Sequence, residues 1–314
     1  MKHILVPLDG SSLAERVLPY VREIAKIAKV DVTLLQVLDD RGQEAFIAED
    51  AMVAHADGKE TSSPRRPPYD TDDAEYARTY MADMVADLSR DGIEAQSIIR
   101  VGQPAEIIVE MAGAAGTMIA MATHGYSGVR RLALGSVADK VVHLSEGPVF
   151  LVRGDVEVAE PRFHRLLVPL DDTPVAKQVL PCAIDFAEQA GAELLLLRAI
   201  QPFVDHYAEL QPFGYTQPPD EQWLMEQRAE IKRDLLGHAE LVRQRHAATR
   251  AMVCDGDPAE VIVEEAKRLC ADVIIMATHG RSGLQRWAMG SVADTVLHHT
   301  CKPMVLVRAH HNHN

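Results

Sequence analysis

Met121-Ala122-Thr123-His124-Gly125-Tyr126-Ser127-Gly128-Val129-Arg130-Arg131-Leu132-Ala133-Leu134-Gly135-Ser136-Val137-Ala138-Asp139 is matched later in the chain by Met276-Ala277-Thr278-His279-Gly280-Arg281-Ser282-Gly283-Leu284-Gln285-Arg286-Trp287-Ala288-Met289-Gly290-Ser291-Val292-Ala293-Asp294. The second copy lies 155 residues after the first, Gly135 to Gly290. Each copy reads as the end of a buried strand, a glycine-punctuated loop carrying arginines, and a Gly-Ser pair that opens a helix. A duplication at that distance in a chain of 314 residues implies two domains of one plan, in keeping with about 150 residues per domain.

The apolar run from Lys2 ends at Pro7-Leu8-Asp9-Gly10-Ser11-Ser12 and reads as a strand buried on both faces, hence part of a parallel sheet. Leu13, Val17, Val21, Ile24 and Ala28 then recur at helical spacing, which predicts a helix from Ser12 that Pro19 either kinks or trims. Asp31 to Leu38 is a second strand, Asp73 to Arg90 a helix, and Ala95 to Arg100 a third strand. Pro104 stands where a helix start tolerates a missing donor. Thr117 to Ala122, a helix from Ser136 to about His143, and a strand Pro148 to Val152 complete the unit.

The same programme restarts at His164-Arg165-Leu166-Leu167-Val168-Pro169-Leu170-Asp171, where Asp171 follows Asp9 by 162 residues. Gly256-Asp257-Pro258-Ala259 likewise repeats Gly102-Gln103-Pro104-Ala105. Strands alternating with helices give an α/β architecture: two tandem open parallel-sheet, Rossmann-like domains with helices on both faces and strand order 3-2-1-4-5. The expected boundaries are 1–154 and 163–309, with a linker at 155–162 and a tail at 310–314.

Two insertions interrupt the rhythm. Residues 39–73 contain a polar, proline-rich stretch from His55 to Pro68 and read as a surface insertion. Residues 201–220 carry Phe203, Tyr207, Phe213 and Tyr215, and read as a packed surface loop or as a patch for a protein partner. A long polar helix, about Glu221 to His246, follows the second insertion.

A net charge of −14 excludes nucleic-acid or anionic-membrane binding through a general basic field. An anion site in such a chain must be local, built from backbone amides and a few arginines. The start of the chain enters its first strand with no secretory pattern, and no apolar run reaches membrane-spanning length, so a cytoplasmic protein is expected. Cys182, Cys254, Cys270 and Cys301 form no Cys-x-x-Cys pair and are expected to be reduced and mostly buried.

With strand order 3-2-1-4-5, the ends of the first and fourth strands diverge and leave a crevice. Asp9 and the Gly125 loop fall at that crevice, as do Asp171 and the Gly280 loop. Gly135-Ser136 and Gly290-Ser291 open helices whose free amides and positive dipole ends suit phosphate. Gly125 and Gly128, with Gly280 and Gly283 in the second copy, would let the loop turn its amides inward as an anion nest. Arg130, Arg131, Arg281 and Arg286 would add charge or simply be solvated.

Asp9 and Asp171 would repel phosphate unless they hold a ribose hydroxyl or a divalent cation such as Mg. The alternative is a turn aspartate bonded to its own backbone. His124 and His279 read as loop-bracing residues, since no nucleophile or acid accompanies them. The terminal His310, His311 and His313 could take up metal, though a disordered tail is the simpler reading.

At these residues the chain resembles a tandem universal stress protein over nearly its whole length. ATP-binding members of that family carry Gly-x-x-Gly, nine residues, and Gly followed by Ser or Thr. The nine-residue spacing is kept from Gly125 to Gly135-Ser136 and from Gly280 to Gly290-Ser291, while Ala122 and Ala277 replace the first glycine. Alanine adds a methyl group and disfavours positive φ, so it could narrow the approach to the ligand.

The resemblance implies a fold like that of the adenine nucleotide alpha hydrolases and ATP as the ligand. It places Asp9 and Asp171 near ribose or metal, and Val37 and Ala199 near adenine. It places the phosphates on the glycine loops, from Met121, Ala122, Met276 and Ala277 to Ser136, Val137, Ser291 and Val292. It further implies that the last strands of the two domains, Pro148 to Arg153 and Pro303 to Arg308, pair across a pseudo-twofold axis as an intrachain dimer. A homodimer of whole chains stays open.

Function is then expected as regulation by nucleotide-dependent shape or partner binding. A scaffold without nucleotide and a slow ATP hydrolase are the alternatives. Neither copy has a Gly-Lys-Ser/Thr P-loop or an evident general base, so rapid hydrolysis is not expected.

Overall fold

The computed structural model describes residues 1–38, 71–113, 116–123, 134–153, 160–201, 221–278 and 290–309. Most of both insertions, both Gly125-type loops, most of the expected linker and the tail lie outside the described residues. The first half runs β1 (His3–Leu8), a 3-10 turn Ala14–Val17, α1 (Leu18–Ala28), β2 (Asp31–Leu38), α2 (Thr71–Arg90), β3 (Ala95–Val101), α3 (Pro104–Met111), β4 (Thr117–Ala122), α4 (Ser136–Leu144) and β5 (Val149–Val152). The second runs β6 (Arg165–Pro169), α5 (Pro174–Lys177), α6 (Leu180–Ala190), β7 (Glu193–Ile200), α7 (Glu221–Arg243), β8 (Thr249–Asp255), α8 (Pro258–Arg268), β9 (Val273–Ala277), α9 (Ser291–His299) and β10 (Met304–Val307).

All ten strands form one sheet in the order β3-β2-β1-β4-β5-β10-β9-β6-β7-β8. Each half therefore has the 3-2-1-4-5 order, and every pairing within a half is parallel. The halves join through β5 and β10, which run antiparallel with Leu151, Phe150 and Val149 opposite Met304, Val305 and Leu306.

Strand alternation sends successive side chains to opposite faces, and both faces are covered. Ile4, Val6, Leu166, Val168 and Phe150 pack with α1, α2, α6 and α7 on one side. Leu5, Leu167, Met121 and Met276 pack with α3, α4, α8 and α9 on the other. Prolines mark the helix starts: Pro19, Pro104, Pro174, Pro181 and Pro258 all occupy a first or second helical position.

The first helix departs from the expected start at Ser12. Ala14 to Val17 form a separate 3-10 turn, and the α-helix begins at Leu18 with Pro19 in its first turn, the trimmed start that was one of the two readings of that proline. A proline cannot donate to the preceding turn, so it breaks the apolar repeat into two pieces. The cysteines also depart from expectation. All four are free thiols, but Cys270 and Cys301 are exposed and only partial burial covers Cys182 and Cys254. Cys270 sits in the left-handed region (φ 51) just past α8, and Cys301 lies in the short link into β10, neither of which belongs to a packed face.

Candidate functional site

β1 pairs with β4 over His3–Leu5 and Thr117–Ile119, and β6 with β9 over Leu166–Leu167 and Val273–Ile274, so in each half the carboxyl ends of the first and fourth strands run on beyond their paired residues. Asp9 directly follows β1 and Asp171 comes two residues after β6. Asp9 Oδ1 accepts from the Ser11 amide at 3.0 Å and the Ser11 hydroxyl at 2.6 Å. Ser11 Oγ in turn accepts from the Ala14 amide at 3.1 Å. The second half repeats this: Asp171 Oδ1 accepts from the Thr173 amide at 2.8 Å and from its hydroxyl, and Thr173 Oγ1 accepts from the Ala176 amide at 3.1 Å. The turn-aspartate alternative is thus realised at one carboxylate oxygen of each residue. Gly10 (φ +80) supplies the left-handed step that the first turn requires.

The start and end of each glycine loop are fixed by a buried threonine that the sequence reading did not single out. Thr123 is 3% exposed, donates its amide to the Val152 carbonyl at 2.8 Å, and accepts from the Gly135 amide at 2.8 Å. Thr278 does the same with Val307 and Gly290. The loop therefore leaves and returns at one point on the sheet, directly before the helix. The signal available beforehand was the Thr-His-Gly shared by both copies.

Gly135 and Gly290 are the N-caps of α4 and α9, with extended backbone and no side-chain bond to the first-turn amides. Ser136 and Ser291 open the helices and are exposed. Uncapped first-turn amides with a positive dipole end fit an anionic group.

Val37, Met121 and Val137 pack into one apolar cluster beside this end of β4, and Ala199, Met276 and Val292 occupy the matching places in the second half. Ala122 and Ala277 are the last residues of β4 and β9, in extended backbone. Neither is at positive φ, so alanine carries no conformational penalty there. The structure therefore brings Asp9, Val37, Met121, Ala122, Gly135, Ser136 and Val137 to one end of the sheet, and their counterparts likewise. Gly125, Gly128, Gly280, Gly283, His124, His279 and the four loop arginines lie outside the described residues.

Beside Asp9 stands Tyr80 of α2. Burial, then the charge of Glu15 and then that of Asp9, push its phenol far above the ordinary range. In the second half Arg198 donates to the Leu170 carbonyl at 3.4 Å. Among the described residues, no group of three or more His, Cys, Asp or Glu side chains is disposed to hold a metal ion. No helix among them is long and apolar enough to cross a membrane.

Two doubly wound parallel halves of one sheet, each with a glycine-opened helix after its fourth strand, define the class as a tandem α/β protein of the open-sheet type. The particular family is identified by comparison. The universal stress protein family matches residues 1–153 and again 162–308, and the chain belongs to that family. A universal stress protein of Mycolicibacterium smegmatis is 27% identical over 234 residues, covering 74% of this chain and 75% of the relative. The universal stress protein YxiE of Bacillus subtilis is 27% identical over 150 residues, 46% of this chain and 99% of its own length, as one copy of a tandem should be. The crystal structure of a universal stress protein from Archaeoglobus fulgidus covers 98% of both chains with a TM-score of 0.68 at 20% identity, a likeness of fold.

Proposed function

We propose that each half binds an adenine nucleotide, ATP foremost, at the carboxyl ends of its first and fourth strands, and that occupancy regulates shape or partner binding. One observation carries the reading: in both halves a buried threonine ties the uncapped Gly-Ser helix start back to the strand end, beside the turn aspartate. That arrangement offers preorganised amides to phosphate. Asp9 and Asp171 would take ribose hydroxyls, with Val37 and Ala199 toward adenine. The domain boundaries 1–154 and 163–309 belong to the same proposal, and the family match at 1–153 and 162–308 supports them.

Magnesium would enter with the triphosphate rather than on a protein cluster. The chain's own residues would bind and orient the nucleotide. A role in the cytoplasm, and protein partners at 39–73 and 201–220, complete the proposal. The absence of a paired base and nucleophile in the described site favours binding over turnover.

The test is titration calorimetry with ATP and magnesium on the wild type, Gly135→Glu, Gly290→Glu and the double variant. A carboxylate placed at either helix start repels phosphate and fills its approach. Stoichiometry should fall from two to one in each single variant and to zero in the double. Two nucleotides bound to the double variant would remove the phosphate assignment.

A further inference from the structure

The sheet ends at β8, which pairs with β7 on one side and with no described strand on the other. The Leu194 amide donates to the Ala248 carbonyl at 2.8 Å, and the Gly256 amide to the Ile200 carbonyl at 2.9 Å. Both backbone groups of a strand residue lie on the same side, so the even-numbered ones of β8 point toward β7 and the odd-numbered ones outward. Thr249 is already engaged, its amide with the Ala247 carbonyl and its carbonyl with Arg243. The amides and carbonyls of Ala251 and Val253 form the open edge at the middle of the strand.

Beside that edge, Ala251 and Val253 join Arg228, Lys232, Leu235 and Leu236 of α7 in lining a groove of about 220 Å³. Arg228, Lys232 and Leu236 succeed one another at intervals of four residues, about 6 Å along a helix. Alternate residues of a strand are spaced by about 6.6 Å. An extended segment laid along β8 therefore sets every second side chain against one of these three.

The charge of the groove points to the occupant. Arg228 is paired with Asp255. Lys232 has Arg228, Ala229, Leu235 and Leu236 as its neighbours one turn away on the helix, and among the described residues no carboxylate pairs with it. Glu226, Glu230 and Asp234 each lie two residues from Arg228 or Lys232, about 200° around the helix and so on its far flank. Leu236, 41% exposed, adds an apolar wall. A second copy paired edge to edge would bring the Arg228 and Lys232 flanks of both chains together, whereas an acidic segment neutralises Lys232.

We propose that the α7–β8 groove takes an extended acidic segment of a partner protein as an eleventh strand, with a carboxylate on Lys232 and an apolar side chain two residues away against Leu236. Main-chain bonds to Ala251 and Val253 supply affinity, and the alternate side chains supply specificity. The opposite edge of the sheet, β3 beside α2, is built differently. The displacement of 154 residues that relates Ala95 to Thr249 puts Ala74, Arg78 and Ala82 in the places of Arg228, Lys232 and Leu236, so the apolar wall is missing there.

The experiment titrates the full chain into a fluorescein-labelled peptide, Thr-Leu-Thr-Glu-Thr-Glu-Thr-Leu-Thr, and reads anisotropy. The peptide has the same sequence in both directions, so neither strand polarity is assumed. One peptide should bind per chain, at least about tenfold more tightly than its analogue with lysine in place of glutamate. Lys232→Glu should reverse that preference, which unfolding cannot do. Leu236→Ala, which copies the first half, should weaken binding by about threefold or more. N-methylation of one alternate set of peptide amides should abolish binding, since one set faces β8, and methylation of the other set should leave it.

Equal affinity for the glutamate and lysine peptides, or binding of neither, overturns the proposal. So does binding that survives both N-methylations, which would leave a charge contact without strand addition. A chain that sediments as a dimer and is split by Leu236→Glu would assign the groove to a second copy and overturn the acidic partner.

Discussion

Tyr20 shows how a single side chain couples the seam between the halves to solution conditions. It sits on α1 at 5.6 Å from Phe150 and 6.4 Å from Phe163, ring centre to ring centre. Burial and then the Asp272 carboxylate push its phenol from 10.0 up to about 12. The folded state keeps the proton where the unfolded chain has begun to lose it. Stability from this group is therefore complete below pH 10 and declines as pH rises toward about 12, by roughly 2–3 kcal/mol at most. Cys182, raised to about 11 by burial, and Tyr80 act in the same direction. Urea unfolding across this range should therefore show a smaller alkaline loss in Tyr20→Phe than in the wild type, and parallel losses would count against the assignment. Other single residues were less legible beforehand. The turn role of Asp9 and Asp171 was one of two open readings, because a carboxylate after a strand suits a turn and a ligand equally. Arg198 was invisible, since one polar residue near the end of an apolar run acquires meaning only when the fold places it beside Asp171.

At the level of elements, what the sequence revealed was periodicity and punctuation. β4 was readable to its ends because Thr117 to Ala122 is a fully buried strand, and proline placed most helix starts because its missing donor is harmless only there. Helix ends were harder, because the left-handed step that stops a helix can be taken by residues other than glycine. α6 ends on Gly191 with φ 63, whereas the equivalent end of α1 is Lys29 with φ 52. A side chain in that region costs about 1–2 kcal/mol, partly offset by the greater entropy that glycine loses on folding. Lys29→Gly should therefore raise stability by about 0.5–1 kcal/mol, a gain of a degree or two or more in the melting temperature. The reverse exchange, Gly191→Lys, should lower it by a similar amount. Calorimetric melting of both variants checks the pair, and a destabilised Lys29→Gly would show that its side chain matters more than its backbone. The glycine loops themselves lie outside the described residues, so the site is defined from its two anchored ends.

The whole molecule is organised by a local twofold that the chain carries within itself. Phe150 and Val305 occupy equivalent positions, 155 residues apart, and face each other at the centre of the antiparallel β5–β10 pair. The flanking pairs, Leu151 with Met304 and Val149 with Leu306, exchange roles about that centre. Arg153 donates to the His298 and Thr300 carbonyls at 3.1 and 3.4 Å, and Arg308, its equivalent, donates to the Leu144 carbonyl at 3.5 Å. Each arginine thus satisfies carbonyls at the end of the opposing helix, where a cation is favoured. A seam of this form is self-complementary, as an isologous dimer interface is. Cutting the chain would leave β5 or β10 as an open strand edge, which seeks a partner. Residues 1–153 or 162–308 produced separately should therefore associate as homodimers, each pairing its own last strand in the register now seen between β5 and β10. The second half should associate more tightly, because Val305 opposite Val305 fits where Phe150 opposite Phe150 overfills a site that holds one large ring. Sedimentation equilibrium measures both. Monomers of each half at about 10 μM would show that the asymmetric aromatic contacts, Phe163 with Tyr20 and with Phe150, each at 6.4 Å, rather than the twofold register, hold the molecule together.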